Sequence, residues 1–177
     1  AFHPSRPVRS MRPRDILKSA PFFAEVLTDG EIDMLAARAH FIAFPKGAKP
    51  IEENAPGTSM FVIAKGRVSV SVEGDTAPIA ELGPGDILGE MSLLTGARRS
   101  ATVTTLEPTE VLEVNKEALA HVLGRSPTLV GRFVEMLMRR QRALDRIAGG
   151  SAWGMYRPSR DELEGLINVF FQARRAS

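Results

Sequence analysis

The sequence predicts an α+β domain in which helices precede and follow a closed or sandwiched unit of about eight short β-strands. Two observations support this prediction. Short apolar segments separated by turn residues fill residues 40–115, and segments with helical spacing of their apolar residues lie on both sides. At 177 residues, one domain with appendages is the default organisation.

The first part of the chain is predicted to be an arm followed by a helical region. Residues 1–14 hold three prolines and four arginines with few large apolar side chains, which indicates a flexible arm or linker. The helical region then extends to about residue 39. Its start signals are Ser19 as a cap before Pro21, and Thr28 with Glu31 as a capping box.

The central strands are predicted from apolar runs bounded by turns. Residues 60–63 form a continuous apolar run, whereas Val68, Val70 and Val72 alternate with polar residues and so predict a strand with one face in solvent. The other strands are predicted at 41–44, 79–82, 87–88, about 103 and 111–114. The glycines at positions 47, 57, 66, 83 and 89 are predicted to lie in turns or in the stretch that holds the candidate binding residues, which is described next.

One stretch between the strands holds the candidate binding chemistry. A Gly-Pro-Gly-Asp sequence at 83–86 predicts a turn. Gly89 lets the backbone approach a ligand closely, and the first N–H groups of a helical turn at 90–94 can point at an anion. Glu90 is suited to accept hydrogen bonds from sugar hydroxyls, and Arg99 offers a fixed cation with a planar fork of donors. The pattern therefore predicts a site for the sugar and phosphate of a nucleotide.

These residues resemble the phosphate-binding cassette of cyclic-nucleotide-binding domains. The family pattern is Gly-Glu, a few apolar residues, and then Arg-Ser/Thr-Ala. In this chain it reads Gly89-Glu90-Met91-Ser92-Leu93-Leu94 and Arg99-Ser100-Ala101-Thr102. The resemblance extends over about residues 20–147 and implies an eight-stranded antiparallel β-roll with jelly-roll topology. The structural alternative is a plain ion pair between Glu90 and Arg99 beneath a turn, which is disfavoured because the surrounding chain also fits the family.

The resemblance also implies a role for each residue of the cassette. Glu90 would hold the ribose 2′-hydroxyl, and Arg99 would hold the cyclic phosphate. Further ligand contacts, from backbone N–H groups and the Ser100 hydroxyl among others, are expected at Gly89, Met91, Ser92, Ser100 and Ala101. Arg98 stands where the family often has Pro. We choose Arg99 as the phosphate ligand because the Ser-Ala pair follows it directly.

Two helices are predicted after the strands. Residues 116–124 form a short helix, and a long one starts at 126–127 and reaches about residue 147. Its apolar stripe comprises Leu129, Phe133, Met136, Leu137, Leu144 and Ile147. The resemblance implies that this helix hinges against the roll and closes over the base, with Arg140 as the residue that meets the base. Trp153 and Tyr156 are suited either to stack on a purine or to pack against the roll.

Charge is distributed unevenly along the chain. The formal net charge is +2, but residues 125–177 hold ten arginines against five acidic residues. The basic ends are suited to face nucleic acid or a membrane surface, although solvated helix faces are the favoured interpretation. Within this region, residues 148–177 are predicted to be an extension with one amphipathic helix, either docked on the domain or presented to a partner.

Composition disfavours several classes of function. The absence of Cys rules out disulfides and thiolate metal sites. No apolar run approaches the roughly 20 residues that cross a bilayer, and no signal-peptide pattern is present. A cytoplasmic location is therefore expected, either for a free protein or for the cytoplasmic part of a membrane protein. The three histidines, His3, His40 and His121, lie far apart, so we expect no metal, no cofactor and no enzymatic activity.

Together these features favour a regulatory domain that binds cAMP, with cGMP as the alternative ligand. Binding is expected to move the long helix and to gate an attached bacterial ion channel, since the chain begins with Ala and fits an excised domain. A free-standing sensor and a regulatory subunit are the alternatives, and both a monomer and a homo-oligomer remain open. A transcription regulator of the catabolite-activator type is less favoured. Only about 30 residues follow Ile147, too few for a helix-turn-helix, so direct DNA binding is not expected.

Overall fold

The computed structural model describes residues 11–74, 77–126 and 128–148, and the isolated positions Asp161 and Gly165. For residues 140–148 it describes the backbone. Predictions for the basic arm before residue 11, for Trp153 and Tyr156, and for the C-terminal amphipathic helix lie outside the described residues. In the part that is described, no helix combines the length and the apolar character needed to cross a membrane.

Three short helices open the described chain: α1 (Pro13–Ser19), α2 (Pro21–Ala24) and α3 (Asp29–Ala36). The predicted capping box is present at the start of α3. The Thr28 N–H donates to Glu31 Oε1 at 2.8 Å, and the Glu31 N–H donates to Thr28 Oγ1 at 3.2 Å. The predicted cap at Ser19 is wrong. Ser19 is the last residue of α1, where its hydroxyl donates to the Ile16 carbonyl oxygen at 2.6 Å.

Seven antiparallel strands lie in two sheets within the described residues. The strands are β1 (His40–Phe44), β2 (Ser59–Lys65), β3 (Val68–Ser71), β4 (Ala80–Leu82), β5 (Ile87–Leu88), β6 (Thr102–Thr105) and β7 (Thr109–Asn115). One sheet has the order β1-β7-β2-β5, and the other has the order β4-β3-β6. Three helices complete the fold: α4 (Glu90–Thr95), α5 (Lys116–Leu123) and α6 (Leu129–Ala148). The predicted antiparallel β-roll flanked by helices is confirmed.

The expected eighth strand is reduced to a single bridge. Ile51 pairs with Val103 of β6, and the Val103 N–H donates to the Ile51 carbonyl oxygen at 2.9 Å. Further back, the Thr105 N–H donates to the Ala48 carbonyl oxygen at 2.9 Å. Between these two contacts lies Pro50, which has no N–H to donate. The segment therefore runs beside β6 without forming a regular ladder.

The roll is built as three layers with two apolar cores. The first core lies between the helices and the outer face of the four-stranded sheet, and the second lies between the two sheets. Strand β2 belongs to both, because Met60 and Val62 enter the helical core whereas Phe61 and Ile63 enter the core inside the roll. Burial on both faces explains why β2 is a continuous apolar run in the sequence, in contrast to the alternating β3.

Helix α6 packs its predicted stripe against the N-terminal helices. Leu129, Phe133 and Met136 are all buried in the helical core. The ring of Phe133 lies 5.5 Å from that of Phe22 on α2, measured between centroids. The side chains of Leu144 and Ile147, at the far end of the predicted stripe, lie outside the description.

A polar joint, formed by Arg132 with its partners, also connects α6 to the N-terminal helices. Arg132 Nη1 donates to the Val26 carbonyl oxygen at 2.6 Å, and Nη2 donates to Ser126 Oγ at 3.1 Å and lies 3.3 Å from Glu31 Oε2. Glu31 thus accepts a capping-box hydrogen bond at the start of α3 and also pairs with Arg132 on α6. Burial alone would raise the pKa of Glu31. The hydrogen bonds from Thr28 and the positive charge of Arg132 outweigh it and hold that pKa below its ordinary value.

Replacement of Arg132 by Met should destabilise the fold by about 2 kcal/mol, because it removes the charge-assisted hydrogen bonds to the Val26 carbonyl and to Glu31. Arg14→Met is the matched control. Arg14 pairs with Asp33 at 3.3 Å, but both side chains are about half exposed, so its loss should cost less than about 1 kcal/mol. Urea unfolding measures both variants, and equal destabilisation would contradict this account of the joint.

The stabilising effect of Arg132 should also depend on pH. Because the folded pKa of Glu31 lies below its ordinary value of 4.5, the stabilisation is fully present above pH 4.5 and is lost as pH falls through the lowered pKa. The difference in unfolding free energy between the wild type and Arg132→Met should therefore shrink as the pH is lowered from 7 towards 3. A difference that stays constant over this range would show that Glu31 is not the relevant partner.

Candidate functional site

The predicted turn before β5 fixes the start of the site. The Gly83 N–H donates to Asp86 Oδ2 at 2.9 Å, and the Asp86 N–H donates to the Gly83 carbonyl oxygen at 3.0 Å. Gly85 has φ of +87°, a conformation that favours glycine. Two backbone hydrogen bonds of 2.9 Å connect this turn to Ile63 of β2. The chain therefore enters β5 and the following helix from a fixed position on the four-stranded sheet.

Helix α4 holds Glu90 at its first position. The helix is bounded by Gly89 and Gly96, with φ of +77° and +73°, so both ends use left-handed backbone. Glu90 is only 2% exposed. The Leu93 and Leu94 side chains of the same helix are fully buried in the helical core. The two glycines thus allow the chain to turn sharply at each end of this six-residue helix. The Glu90 carboxylate is thereby placed beside Gly89.

Arg99 is buried against the backbone of two glycines. Arg99 is 7% exposed, and its Nη1 donates to the Gly89 carbonyl oxygen at 3.2 Å. A Cβ atom at either Gly57 or Gly89 would overlap the guanidinium. No other hydrogen bond of this guanidinium is made to the described residues. Four of its five N–H donors therefore have no acceptor among the described residues.

The charge of Arg99 is maintained by two carboxylates. Burial lowers the pKa of Arg99 from its ordinary value, whereas the negative charges of Glu90 and Glu113 raise it. An arginine remains protonated at neutral pH even when its pKa is lowered. The site therefore holds a permanent cation with carboxylates around it.

The loop at 52–57 holds the backbone of Arg99 in place. The Arg99 N–H donates to the Ala55 carbonyl oxygen at 2.9 Å, and the Asn54 N–H donates to the Arg99 carbonyl oxygen at 2.8 Å. The neighbouring Arg98 is exposed and donates through Nη1 to the Asn54 carbonyl oxygen at 2.8 Å. Of the two adjacent arginines, only Arg99 reaches Gly89 within this part of the structure.

The remaining predicted site residues lie at different depths. Ser92 is buried, Met91 and Ala101 are partly buried, and Ser100 is exposed. The structure therefore brings Gly89, Glu90 and Arg99 together, with Ser100 next to Arg99 in the chain. Arg140 lies on α6, but its side chain is outside the description, so its predicted contact with the base stays a prediction.

Two residues near Arg99 were not predicted as part of the site. Gly57 was assigned to a turn, although its φ is not positive and its small size instead leaves room for the guanidinium. Glu113 lies on β7 two residues from the buried Val111, so strand alternation places it on the same face. That alternation is readable from the sequence, whereas the contact between Gly57 and Arg99 joins positions too distant in sequence for any local pattern.

This arrangement is suited to a ligand that carries both an anion and hydroxyl groups. A buried guanidinium with available donors binds an anion, and a carboxylate nearby accepts hydrogen bonds from hydroxyls. Within the described ranges, no group of three His, Asp or Glu side chains is placed to hold a metal ion.

Comparison with known proteins identifies relatives with this fold. Residues 41–126 match the cyclic nucleotide-binding domain family. The cyclic AMP receptor protein of Thermus thermophilus is 30% identical over 132 residues, which is 73% of this chain and 61% of that protein. A cyclic nucleotide-gated potassium channel of Mesorhizobium japonicum is 33% identical over 99 residues, which is 56% of this chain and 27% of the channel.

A solved structure extends this similarity to three dimensions. The crystal structure of a cyclic nucleotide-binding domain from Methylobacillus flagellatus is 26% identical, with a TM-score of 0.63 over 82% of this chain and 85% of that one. The chain spans less than two thirds of either curated relative, at 61% and 27% of their lengths. Over residues 41–126, this chain belongs to the cyclic nucleotide-binding domain family.

Proposed function

We propose that this domain binds cAMP at the site around Arg99 and regulates an attached effector. The observation that supports it most is the burial of the Arg99 guanidinium between Gly57 and Gly89, with Glu90 buried nearby. Burial of a charge is costly unless the charge is paired. Glu90 and Glu113 supply negative charge, but most N–H donors of Arg99 have no acceptor among the described residues, and an anionic ligand would complete those hydrogen bonds.

Each group of the site has a role in this proposal. Arg99 donates to the two exocyclic oxygens of the cyclic phosphate, for which its planar fork is suited. Glu90 accepts a hydrogen bond from the ribose 2′-hydroxyl. Further groups line the phosphate and the sugar. They are the backbone N–H groups of Gly89 and Met91, the Ser92 and Ala101 positions, and the backbone and hydroxyl of Ser100. Arg140 on α6 contacts the base.

The charge of the site favours a cyclic diester over a nucleoside monophosphate. A cyclic phosphate carries one negative charge, whereas a 5′-phosphate carries nearly two at neutral pH. Only one buried cation is present among the described residues of the site, and Glu90 and Glu113 both influence it. The second negative charge of a monoester would be placed near these carboxylates without a partner. Both cAMP and cGMP satisfy this argument, and we propose cAMP because relatives named for it include the Thermus receptor protein.

We propose that the effector is an ion channel, as in the Mesorhizobium relative, and that movement of α6 carries the signal. A ligand shifts such an equilibrium only by its different affinity for the two positions of the helix, and a tenfold bias requires about 1.4 kcal/mol.

A transcription regulator is the second candidate. It is favoured by a relative named as a cAMP-activated global transcriptional regulator, from Mycobacterium tuberculosis, whose match covers 72% of this chain against 56% for the channel.

Isothermal titration with cAMP, cGMP and 5′-AMP tests the ligand. We expect micromolar or tighter binding of cAMP and binding of 5′-AMP at least tenfold weaker, because the dianion lacks a second cation. Binding of neither cyclic nucleotide would refute the proposed function. Equal binding of 5′-AMP would refute the argument from charge.

Replacement of Arg99 by Ala should weaken cAMP binding by about ten- to a hundredfold, since hydrogen bonds to a charged group contribute about 1.5–3 kcal/mol. Arg98→Ala is the matched control. It removes the same charge one residue away, from an exposed side chain that donates to Asn54, and should change the affinity less than about threefold. Thermal unfolding verifies that both variants are folded. An unchanged affinity for Arg99→Ala, or an equal loss in both variants, would exclude Arg99 as the phosphate ligand.

A further inference from the structure

On the inner face of the four-stranded sheet, one row of paired residues contains a carboxylate. Register pairs Glu113 with His40 of β1 on one side and with Phe61 of β2 on the other, and Phe61 pairs with Leu88 of β5. The preceding row on the same face, with Ile63 and the strands beside it, is apolar and lies inside the roll. Glu113 is thus the point at which the apolar interior changes to charge.

This row leads directly to the candidate binding site. Leu88 precedes Gly89, whose carbonyl oxygen accepts the hydrogen bond from Arg99 Nη1. Glu113 lies two strand spacings from Leu88, about 10 Å between backbones, and its half-buried side chain shares that face with Phe61. The negative charge of Glu113 also acts on Arg99, whose pKa it raises.

Glu113 makes no hydrogen bond or ion pair of its own with the described residues. Unlike an ordinary surface carboxylate, Glu113 lies near a buried cation, and solvent screens the interaction between the two charges only a little. Glu90 and Glu113 both act on the single buried guanidinium of the site, that of Arg99. An incoming phosphate therefore approaches two carboxylates as well as the cation.

We propose that Glu113 sets the affinity of this site by stabilising Arg99 when the site is empty and by repelling the phosphate when a nucleotide enters. This inference rests on the proposed function of the site. The ligand class is any nucleotide with a single negative charge on its phosphate. Removal of the Glu113 charge has two consequences of opposite sign: the empty protein becomes less stable, and the ligand binds more tightly. Structural damage alone would lower both quantities.

Glu113→Gln tests the proposal with two measurements on the whole chain. Titration with cAMP should show an affinity about three- to tenfold higher than that of the wild type, because one nearby repulsive charge is removed. Thermal unfolding without ligand should show a Tm about 2–4 °C lower, because Arg99 loses an attractive partner.

Glu110→Gln is the matched control on the same strand. Glu110 is exposed and lies three residues from Glu113, so the variant makes the same change of net charge on the opposite side of β7. It should alter neither the affinity nor the Tm. Equal gains in affinity for the two variants would attribute the effect to net charge and overturn the proposal.

The remaining outcomes separate this inference from the proposed function. A lower affinity for Glu113→Gln would identify Glu113 as a hydrogen-bond acceptor for the ligand, and would overturn its role as a repulsive charge. If the wild type binds cAMP and the variant binds equally well, the inference fails while the proposed function stands. If the wild type binds no cyclic nucleotide, the proposed function fails and this inference fails with it.

Discussion

The burial of one positive charge, on Arg99, constrains most of the site. A guanidinium so nearly removed from solvent requires nearby negative charge, which Glu90 and Glu113 supply. It also requires space, which Gly57 and Gly89 provide by the absence of a Cβ atom. The loop at 52–57 is in turn held to the Arg99 backbone by hydrogen bonds in both directions. Elements distant in sequence are therefore brought together around a single side chain.

The three-layer arrangement determines where the site lies relative to the helical core. The four-stranded sheet separates the interior of the roll from the helices, so that each of its central strands contributes to both cores. The site lies beside the row of the inner face that contains Glu113 and Leu88. The joint at Arg132 belongs to the helical side, where it connects α6 to α3. Binding chemistry and helix packing are thus located on different faces of one sheet.

The sequence predicted those features that depend on local chemistry. The capping box at Thr28 is a pattern of two residues, and the burial of β2 on both faces is readable from its continuous apolar run. Ser19 was misassigned because a hydroxyl before a proline suits a cap, yet the same hydroxyl also satisfies a carbonyl at the end of the preceding helix. The need for glycine at position 57 was not predictable, because the side chain that fills the space beside it, that of Arg99, lies 42 positions later in the chain.

Helix α4 provides a physical connection between the site and the helical core. Its first residue, Glu90, lies beside Gly89 at the site, and Leu93 and Leu94 one turn later are fully buried in the core that also contains Phe133 of α6. Because glycines in the left-handed conformation stand at both ends of this six-residue helix, we expect it to shift as a unit. A ligand that pulls on Glu90 would therefore displace Leu93 and Leu94 as well. In a close-packed core such a displacement requires neighbouring side chains to move, and Phe133 of α6 belongs to the same core.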